Sequence, residues 1–558
     1  MSSQTVPGAA PDARGGGAPI ATGPHAPHAD GWIDSVKAFA HPRVVTMLFL
    51  GFSAGVPILL IFSSLSLWLR EAGVEKSAVT YFSWAALGYS FKFVWAPLVD
   101  RLPLPLLTGA LGRRRGWLLL SQVAVVAAIL WMASIDPAAG GLGASGEGGA
   151  SAALTLMAFA AVALGFSSAT QDIVIDAYRI DSAGPELQAL MSSSYVGGYR
   201  IGMIVAGAGA LYLAQALGST AEVYDYGAWR LTYAAMAAVM LVGMATTLAI
   251  DEPAVSDAAA PAGSPRTRSL ADNLRFFAAF LIGVAAFIVA FRLLGGTAGA
   301  IGGALADVTG DALAGLVAAT LRLASALGVT AVAFAVLIKG GAVDDTYVRE
   351  AYVAPIADFF SRYGVSIAWL LLLLVGFYRV SDIVLGVIAN VFYQDMGYTK
   401  ADIATVSKVF GLVVTIAGSF LGGLLAVRFG VLRILLLGAV LSAVTNLLFV
   451  LLAGGEPSMG MLYLVIGADN LAGGLANAAF IAFLSSLTNV SFTAVQYAVF
   501  SSLMTLFPKT LGGYSGSIVE TIGYSSFFVL TALLTLPVIV LIVLARRHLD
   551  REVSLAPA

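Results

Sequence analysis

The sequence repeats one pattern fourteen times: a run of about 20 mostly apolar residues, bounded by polar breaks. A helix that crosses a lipid bilayer needs roughly 20 such residues. Hydrophobic periodicity and length together therefore predict membrane-spanning helices rather than a soluble core. The predicted spans cover residues 44–67, 77–99, 117–135, 152–177, 189–215, 230–250, 275–295, 312–338, 366–391, 401–426, 432–453, 460–486, 495–515 and 525–545.

The composition fits an all-α membrane protein. Only 11% of the residues are charged and 59% are hydrophobic, whereas about a quarter of the residues in a soluble domain are charged. The chain carries too little charge to be solvated by water, so we expect the lipid bilayer to be its solvent. The chain has no cysteine, which excludes disulfides, thiolate metal sites and cysteine nucleophiles.

Arginines occupy alternate loops, and this pattern predicts the orientation in the membrane. The loops on the other side, such as 136–150 and 454–459, contain no lysine or arginine. Because basic loops stay in the cytoplasm, we expect both termini to be cytoplasmic. The arginines on the predicted cytoplasmic side are Arg101, Arg113, Arg114, Arg115, Arg266, Arg268, Arg428, Arg433, Arg546, Arg547 and Arg551.

The first and second halves of the chain contain a twofold internal repeat. The stretch FKFVWAPLVDR followed by LGRRRGWLLL in the first half matches SFLGGLLAVRFGVLRILLLGAV in the second, although the second copy lacks the acidic residue. Such repeats are typical of transporters. We predict a disordered cytoplasmic tail at 1–43, six-helix halves at 44–250 and 365–545, a linker with an inserted two-helix hairpin at 251–364, and a tail at 546–558.

Ionisable residues inside a span are costly and are functional candidates by default. Asp172 and Asp176 lie four residues apart in SSATQDIVIDAYR and share a helix face. Two like charges on one face favour proton uptake, but Arg179, three residues after Asp176, can hold that carboxylate ionised. A proton-carrying role and a structural or gating charge network both stay open.

Arginines in two other spans suggest contacts to an anion. Arg200 lies about eleven residues into its span, beside Tyr195 and Tyr199, so we expect a substrate-carboxylate contact or an interhelix contact. Arg379 and Asp382 are spaced to form a local ion pair, which either neutralises itself or opens for a ligand.

Sequence motifs for catalysis are lacking. The four histidines are His25, His28, His41 and His548, all outside the predicted spans, and the chain has no G-x-x-x-x-G-K-[ST], H-E-x-x-H or G-x-S-x-G motif. We therefore expect no enzyme activity, no cofactor, no metal site and no nucleic-acid partner. A membrane-embedded transferase is the less favoured alternative, because it would need clustered acid–base residues at one membrane face.

Long segments in both halves resemble one family. They are GFSAGVPILLIFSSLSLWLREAGV, YSFKFVWAPLVDR, GRRRGWLLLSQ, ATQDIVIDAYR and YVGGYRIGM, followed by RVSDIVLGVIANVFYQDMGYTKADIATVSK and ADNLAGGLANAAFIAFLSSLTNVSFTAVQYAVFSSL. These segments are similar to the AmpG-type muropeptide permeases of the peptide–acetyl-coenzyme A transporter group, in the major facilitator superfamily. The resemblance covers nearly all of 44–545 except most of 255–360.

The resemblance implies a major facilitator fold in the bacterial inner membrane, acting as a monomer by alternating access. It implies proton-driven import of N-acetylglucosaminyl-1,6-anhydro-N-acetylmuramic acid, alone or with its peptide, for peptidoglycan recycling and β-lactamase induction. An acetyl-coenzyme A or other anionic-metabolite carrier is the alternative within the transporters. A muropeptide receptor that moves nothing is the alternative from another class.

Such a cargo carries carboxylates, acetamido groups and apolar sugar faces, which suggests roles for the polar residues in the spans. Arg200, Arg379 and Lys408 would bind carboxylates, and Gln171 and Asn470 would contact acetamido groups. Tyr89, Tyr195, Tyr199 and Trp68 would stack on sugars. Protons would bind Asp172, Asp176 or Asp382. The gate would be formed by Lys92, Asp100, Arg101, Arg113 and Arg179.

Overall fold

The computed structural model describes residues 37–61, 63–74, 89, 91–139, 152–220, 223–253, 269–309, 311–512 and 515–555. Every regular element in these ranges is helical. Thirteen helical segments among them are long and apolar enough to cross a membrane. The chain is therefore a multi-pass membrane protein, as the apolar runs predict.

The first half is built from helices that follow the predicted spans closely, because each span is defined by its own local run of apolar residues. The Leu187–Ala216 segment crosses as one unit, since a π-helical turn at Val205–Gly209 joins its two α-helices. The helices are Pro42–Ile61, Ser63–Glu71, Ala96–Arg101, Leu107–Leu111, Arg113–Ala133, Ala152–Ser182, Pro185–Ile204, Ala210–Ala216, Tyr226–Val239 and Leu241–Ala249.

The second half repeats this architecture. A π-helical segment at Ala404–Phe410 precedes one of its spans, and the final helix continues through the predicted tail to Leu555. The helices are Ala354–Phe377, Val380–Asp395, Lys400–Ile403, Gly411–Phe429, Val431–Gly454, Met459–Leu487, Thr493–Gly512, Ser515–Leu533 and Thr535–Leu555.

Between the halves lies an insertion, which we define as the helices Leu270–Leu293, Gly295–Thr309 and Asp311–Lys339. Its two long helices correspond to the predicted hairpin. The short middle helix was not predicted, because its glycine-rich sequence does not form a long apolar run. A further helical stretch, 345–363, which we call the connector, leads into the second half and ends at Gly364. Gly364 has φ 69° and ψ 159°, which breaks the helix before the next span.

Thirteen of the fourteen predicted spans have a counterpart among the described helices. For the span predicted at 77–99, residues 75–88 and 90 lie outside the described residues, and its described end is helical at Lys92–Val94 and Ala96–Arg101. The tail predicted at 1–43 lies outside them up to residue 36, as does the part of the linker at 254–268, which includes Arg266 and Arg268.

One end of the bundle collects the arginine-rich loops, and we call it the basic face. The helix Arg113–Ala133 begins there, and the Glu252 carboxylate accepts hydrogen bonds from the backbone N–H groups of Arg114 (2.7 Å) and Arg115 (3.0 Å). A carboxylate at the first turn of a helix satisfies otherwise unpaired N–H groups and complements the helix dipole. Glu252, which follows the helix Leu241–Ala249, thereby fixes the start of the helix Arg113–Ala133.

Within each half, glycines bring two helices into backbone contact. A Cβ on Gly198 would lie 1.9 Å from the carbonyl oxygen of Leu48, and one on Gly202 would lie 2.2 Å from that of Phe52. In the second half, a Cβ on Gly418 would lie 2.3 Å from the Leu471 oxygen. Small residues at such crossings let helices pack closely in lipid, where no hydrophobic effect drives them together.

Gly473 and Gly474 provide a matched test of this packing. A Cβ on Gly474 would lie 2.3 Å from the Thr415 carbonyl oxygen, whereas one on Gly473 would meet nothing within 4 Å. We expect Gly474→Ala to cost about 1–3 kcal/mol through overpacking, and Gly473→Ala to be neutral or to stabilise by up to about 1 kcal/mol through helix propensity. Thermal unfolding in detergent measures the difference, and equal midpoints would contradict the backbone contact.

Candidate functional site

A buried arginine at the basic face holds three helix ends of the first half together. Arg114 is 2% exposed, and its guanidinium bonds Asp100 through Nη1 (2.9 Å) and Asp181 through Nε (2.8 Å). Asp100 lies in the last turn of the helix Ala96–Arg101, and Asp181 lies at the end of Ala152–Ser182. A buried charge is tolerated when it is paired and hydrogen-bonded, as it is here on both sides.

The same two carboxylates reach across to the second half. Asp100 accepts hydrogen bonds from the backbone N–H groups of Ala494 (3.3 Å) and Val495 (3.0 Å), and Asp181 accepts one from the Thr493 hydroxyl (2.7 Å). These groups form the first turn of the helix Thr493–Gly512, whose N–H groups carry the positive end of the helix dipole. The basic face is therefore closed by carboxylates of one half that cap a helix of the other.

A second polar layer lies behind the first. Arg179 is fully buried, and it bonds Asp176 (3.1 Å) of its own helix and the Ser485 hydroxyl (2.6 Å) of the second half. Its guanidinium also lies 5.1 Å from the centre of the Tyr497 ring. Lys92 Nζ lies 3.5 Å from the other oxygen of Asp176. Asp176 is therefore held by two cations, and Arg179 joins the halves.

The remaining predicted gating residues lie at the same face. Arg101 bonds Glu350 of the connector at 2.9 Å. Arg113 Nε is buried and has no hydrogen-bond partner among the described residues. Arg114 and Asp181 were not among the predicted site residues, although Arg114 stands in the GRRRG motif. Nothing local distinguishes it from the two neighbouring arginines, because its partners are distant in sequence.

A central cavity of about 330 Å³ lies between the halves, beyond these polar layers. Both halves line it, and seven of the predicted site residues from the first half are among its walls. The lining residues are Ile58, Tyr89, Lys92, Asp172, Asp176, Tyr195, Val196, Tyr199, Arg200, Met203, Arg379, Asn477, Ile481, Tyr497, Ser501, Met504, Thr505 and Lys509.

Three cations in this cavity have no carboxylate partner among the described residues: Arg200, Arg379 and Lys509. Arg379 Nη1 donates to the Asn477 side-chain oxygen at 3.0 Å, and Arg200 Nη1 lies 3.7 Å from the sulfur of Met203. Arg200 belongs to the first half and the other two to the second. Arg200 and Arg379 are half-buried and Lys509 is exposed. Cations that line a cavity without a counter-charge favour an anionic ligand, because charge-assisted hydrogen bonds to an anion are strong.

Asp172 faces the same cavity in a different situation from Asp176. Its Oδ1 atom is buried and accepts no hydrogen bond from the described residues, and no cation lies within ion-pair distance of it in that part of the chain. The nearby Tyr89 hydroxyl donates instead to Ser168 at 2.7 Å. An unpaired buried carboxylate is stabilised by binding a proton, so the two aspartates on this helix face are not equivalent.

The predicted ion pair between Arg379 and Asp382 is wrong, because the helix is interrupted there. Arg379 has φ −100° and ψ 8° at the start of Val380–Asp395, so the two side chains do not share a continuous helix face. The Asp382 carboxylate instead accepts a hydrogen bond from Ser442, and Asp469 accepts one from Thr445 (3.2 Å). This polar cluster lies inside the second half and does not line the central cavity.

Three predicted substrate contacts lie elsewhere in the structure. Trp68 is buried at the other end of the first half, stacked on Trp229 with ring centres 5.6 Å apart. Gln171 is buried and donates to Ser53 (3.3 Å), and Asn470 accepts from Thr415 (2.8 Å). These groups satisfy interhelix contacts within a half. The side chain of Lys408 lies outside the described part of the chain.

Lys509, Tyr497 and Asn477 line the cavity but were not among the predicted site residues. Lys509 could have been found by the rule that marked Arg200, since it is an ionisable residue inside the span predicted at 495–515. Asn477 shares its otherwise apolar helix with the polar residues Asp469 and Asn470, and this pattern could have marked it. Tyr497 carries no signal in sequence, because tyrosine is common in spans.

Comparisons with known proteins agree with this architecture. Residues 43–219 match the family model described as "Acetyl-coenzyme A transporter 1", and residues 356–557 match the one described as "Major Facilitator Superfamily". The putative transporter AmpG 4 of Rickettsia felis is 28% identical over 93% of this chain and 99% of its own length. The anhydromuropeptide permease of Escherichia coli K12 is 27% identical over 92% of this chain and 82% of its own.

Solved structures support the fold. The proton:xylose symporter XylE aligns with a TM-score of 0.52 at 12% identity, covering 91% of this chain and 95% of that one. A bacterial homologue of ferroportin in an outward-facing state aligns with a TM-score of 0.51 at 13% identity, covering 92% and 98%. The chain thus has the major facilitator fold, and over most of its length it is similar to transporters named AmpG and to the anhydromuropeptide permease.

Proposed function

We propose that this protein imports anhydromuropeptides from the periplasm to the cytoplasm across the bacterial inner membrane. The observation that carries the proposal is the set of three cations, Arg200, Arg379 and Lys509, that line the central cavity without a carboxylate partner in the described chain. A muropeptide supplies carboxylates for such a set, and charge-assisted hydrogen bonds to them are strong in a desolvated site.

The tyrosines of the cavity suit the sugar part of this cargo. Tyr89, Tyr195 and Tyr199 line the wall formed by the first half, and the rings of Tyr195 and Tyr199 lie 6.1 Å apart. Aromatic rings offer apolar faces for sugar rings together with a hydroxyl that remains available for hydrogen bonds. The cargo would be N-acetylglucosaminyl-1,6-anhydro-N-acetylmuramic acid, with or without its peptide, and the names of the relatives support this class.

The basic face would be cytoplasmic, with both termini on that side, by the positive-inside rule. In this orientation the structure represents a state closed toward the cytoplasm. Transport would proceed by rocking of the two halves around the central cavity. Opening toward the cytoplasm requires the Thr493–Gly512 helix to leave Asp100 and Asp181, and Arg179 to leave Ser485.

Protons would drive uptake through Asp172. This carboxylate faces the cavity without an ion pair in the described chain, whereas Asp176 is held by Lys92 and Arg179. Asp382 lies outside the cavity wall, so it is the weaker candidate. A monomer without a cofactor suffices for this mechanism. The imported fragments would feed peptidoglycan recycling and signal β-lactamase induction.

A second candidate function is the transport of acetyl-coenzyme A or another anionic metabolite. The match of residues 43–219 to the acetyl-coenzyme A transporter model favours it, and the three cations would equally attract phosphates. A receptor that binds muropeptide without moving it has less support, because the central cavity lies between two halves of a transporter fold.

Cargo recognition is tested by uptake of radiolabelled anhydromuropeptide into proteoliposomes. We expect Arg379→Gln to raise the apparent KM about tenfold or more, since a hydrogen bond to a charged group contributes about 1.5–3 kcal/mol. The control is Arg275→Gln, which changes an exposed arginine of the insertion. An unchanged KM would contradict the cargo site, and competition by acetyl-coenzyme A at lower concentrations than by muropeptide would favour the second candidate.

Proton coupling is tested by comparing two kinds of transport in the same vesicles. We expect Asp172→Asn to abolish accumulation driven by an inside-alkaline pH gradient but to retain exchange of labelled for unlabelled cargo. Neutralising the carboxylate removes its proton site without removing the cations that bind cargo. Asp345→Asn, at an exposed carboxylate, is the control. Gradient-driven accumulation by the Asp172→Asn variant would exclude this residue as the coupling site.

The gate is tested by labelling a cysteine in the central cavity from the basic face. The chain has no cysteine of its own, so Ser501→Cys provides a unique probe in inside-out vesicles. We expect Asp100→Asn to increase the labelling rate about tenfold, because the carboxylate that caps the Thr493–Gly512 helix is lost. Asp136→Asn, which alters a carboxylate bonded to Tyr224, is the control. Equal rates would refute the gate.

A further inference from the structure

The connector, residues 345–363, is an amphipathic helix whose inner face is buried. Its buried residues follow helical spacing, whereas the residues between them are exposed or half-buried. The buried side chains are Tyr347, Val348, Ala351, Pro355, Phe359 and Tyr363. The connector therefore packs along the protein instead of serving as a loose link between the halves.

One part of the connector is fixed to the first half. Arg101 donates through Nη1 to the Glu350 carboxylate (2.9 Å) and through Nη2 to the Glu350 carbonyl oxygen (2.7 Å). The Tyr352 hydroxyl donates to the carbonyl oxygen of Val94 (3.1 Å). Arg101 directly follows Asp100, the carboxylate that closes the basic face. The connector is thus bonded to the segment that contains Asp100.

The insertion also contacts the connector and helps to fix its position. The Tyr347 hydroxyl donates to the Asn273 side-chain oxygen (2.9 Å), and its ring stacks on Phe276 with centres 4.3 Å apart. Phe276 also belongs to the hydrophobic cluster that contains Trp95 and Val99 of the first half. The first helix of the insertion, Leu270–Leu293, therefore holds the start of the connector against the helix Ala96–Arg101.

The next two turns of the connector are fixed to the second half. Gln496 donates through Nε2 to the Pro355 carbonyl oxygen (2.7 Å) and to Asp358 (2.8 Å). The Asn489 side chain donates to the other oxygen of Asp358 (2.9 Å). Arg362 donates to Gln496 Oε1 (3.1 Å). Gln496 lies one residue after Val495, so this anchor holds the helix turn that Asp100 caps.

The connector thus spans the gate, with Glu350 bound to the residue after Asp100 and Asp358 bound to the residue after Val495. When the halves separate at the basic face, the two anchors must move apart. The Asp358 anchor lies within the second half and does not need to break. The Glu350 anchor lies in a π-helical turn, Arg349–Val353, followed by Pro355, and such interruptions let a helix bend.

We propose that the connector is a latch that stabilises the closed basic face, and that the Arg101–Glu350 contact is the end that releases. The insertion is then the element that positions the latch, which assigns it a regulatory role separate from cargo binding. This inference rests on the proposed alternating access of the two halves. It predicts that weakening the contact shifts the resting protein toward the state open at the basic face, even without cargo.

The test uses spin labels on Ala110→Cys and Arg433→Cys, which are exposed positions near the basic face in the first and second halves. Double electron–electron resonance in cargo-free nanodiscs measures the distance between them. We expect Glu350→Gln to increase the long-distance population about threefold to tenfold, the range for losing a partly exposed charged contact. Asp345→Asn is the matched control, because Asp345 pairs only with exposed Arg349 among the contacts described for its carboxylate.

Exchanging the charges of Arg101 and Glu350 distinguishes loss of their contact from loss of folding. The double variant Arg101→Glu with Glu350→Arg should restore the short distance at least in part, whereas Arg101→Glu alone should not. Identical distance distributions for Glu350→Gln and Asp345→Asn, in protein that transports cargo, would overturn the latch. A wild-type protein that moves no muropeptide, while Glu350→Gln still lengthens the distance, would refute the cargo and leave the latch standing.

Discussion

The closed state depends on two carboxylates of the first half that meet the first turn of a helix in the second. Asp100 and Asp181 share the buried guanidinium of Arg114 on one side and bond the start of Thr493–Gly512 on the other. Both interactions involve charge or a helix dipole in a site shielded from water, where they are strong. The polar layer at Arg179 lies behind this junction, and the connector is bonded to residues on both sides of it.

The charges of the central region are divided between two tasks. Near the basic face, three cations are matched by carboxylates: Lys92 and Arg179 hold Asp176, and Arg114 is bonded by two aspartates. Deeper in the cavity, Arg200, Arg379 and Lys509 have no such match in the described chain. Balanced charges stabilise a closed contact between the halves, whereas an unbalanced set remains available for a ligand.

The spans and the fold were predictable from sequence, because a run of apolar residues is a local property that lipid converts directly into a helix. Side-chain partners were not, because they depend on contacts between distant segments. Arg114 was hidden among three adjacent arginines, and Trp68 proved to be a packing residue. The Arg379–Asp382 prediction failed because spacing was counted along a helix that is interrupted at Arg379. Lys509 was missed although its position inside a span marked it.

The contacts of the glycines determine which of them can accept a substitution. Within each half, Gly198 and Gly474 bring backbone against backbone, so nothing there can yield. At the seam between the halves, Gly197 meets the ring of Phe420, and Gly423 meets first the side chain of Ser193. Side chains can repack whereas backbones cannot. Substitutions at Gly197 and Gly423 can therefore alter the contact between the halves at little cost to folding, whereas those at Gly198 and Gly474 disrupt the packing of a half.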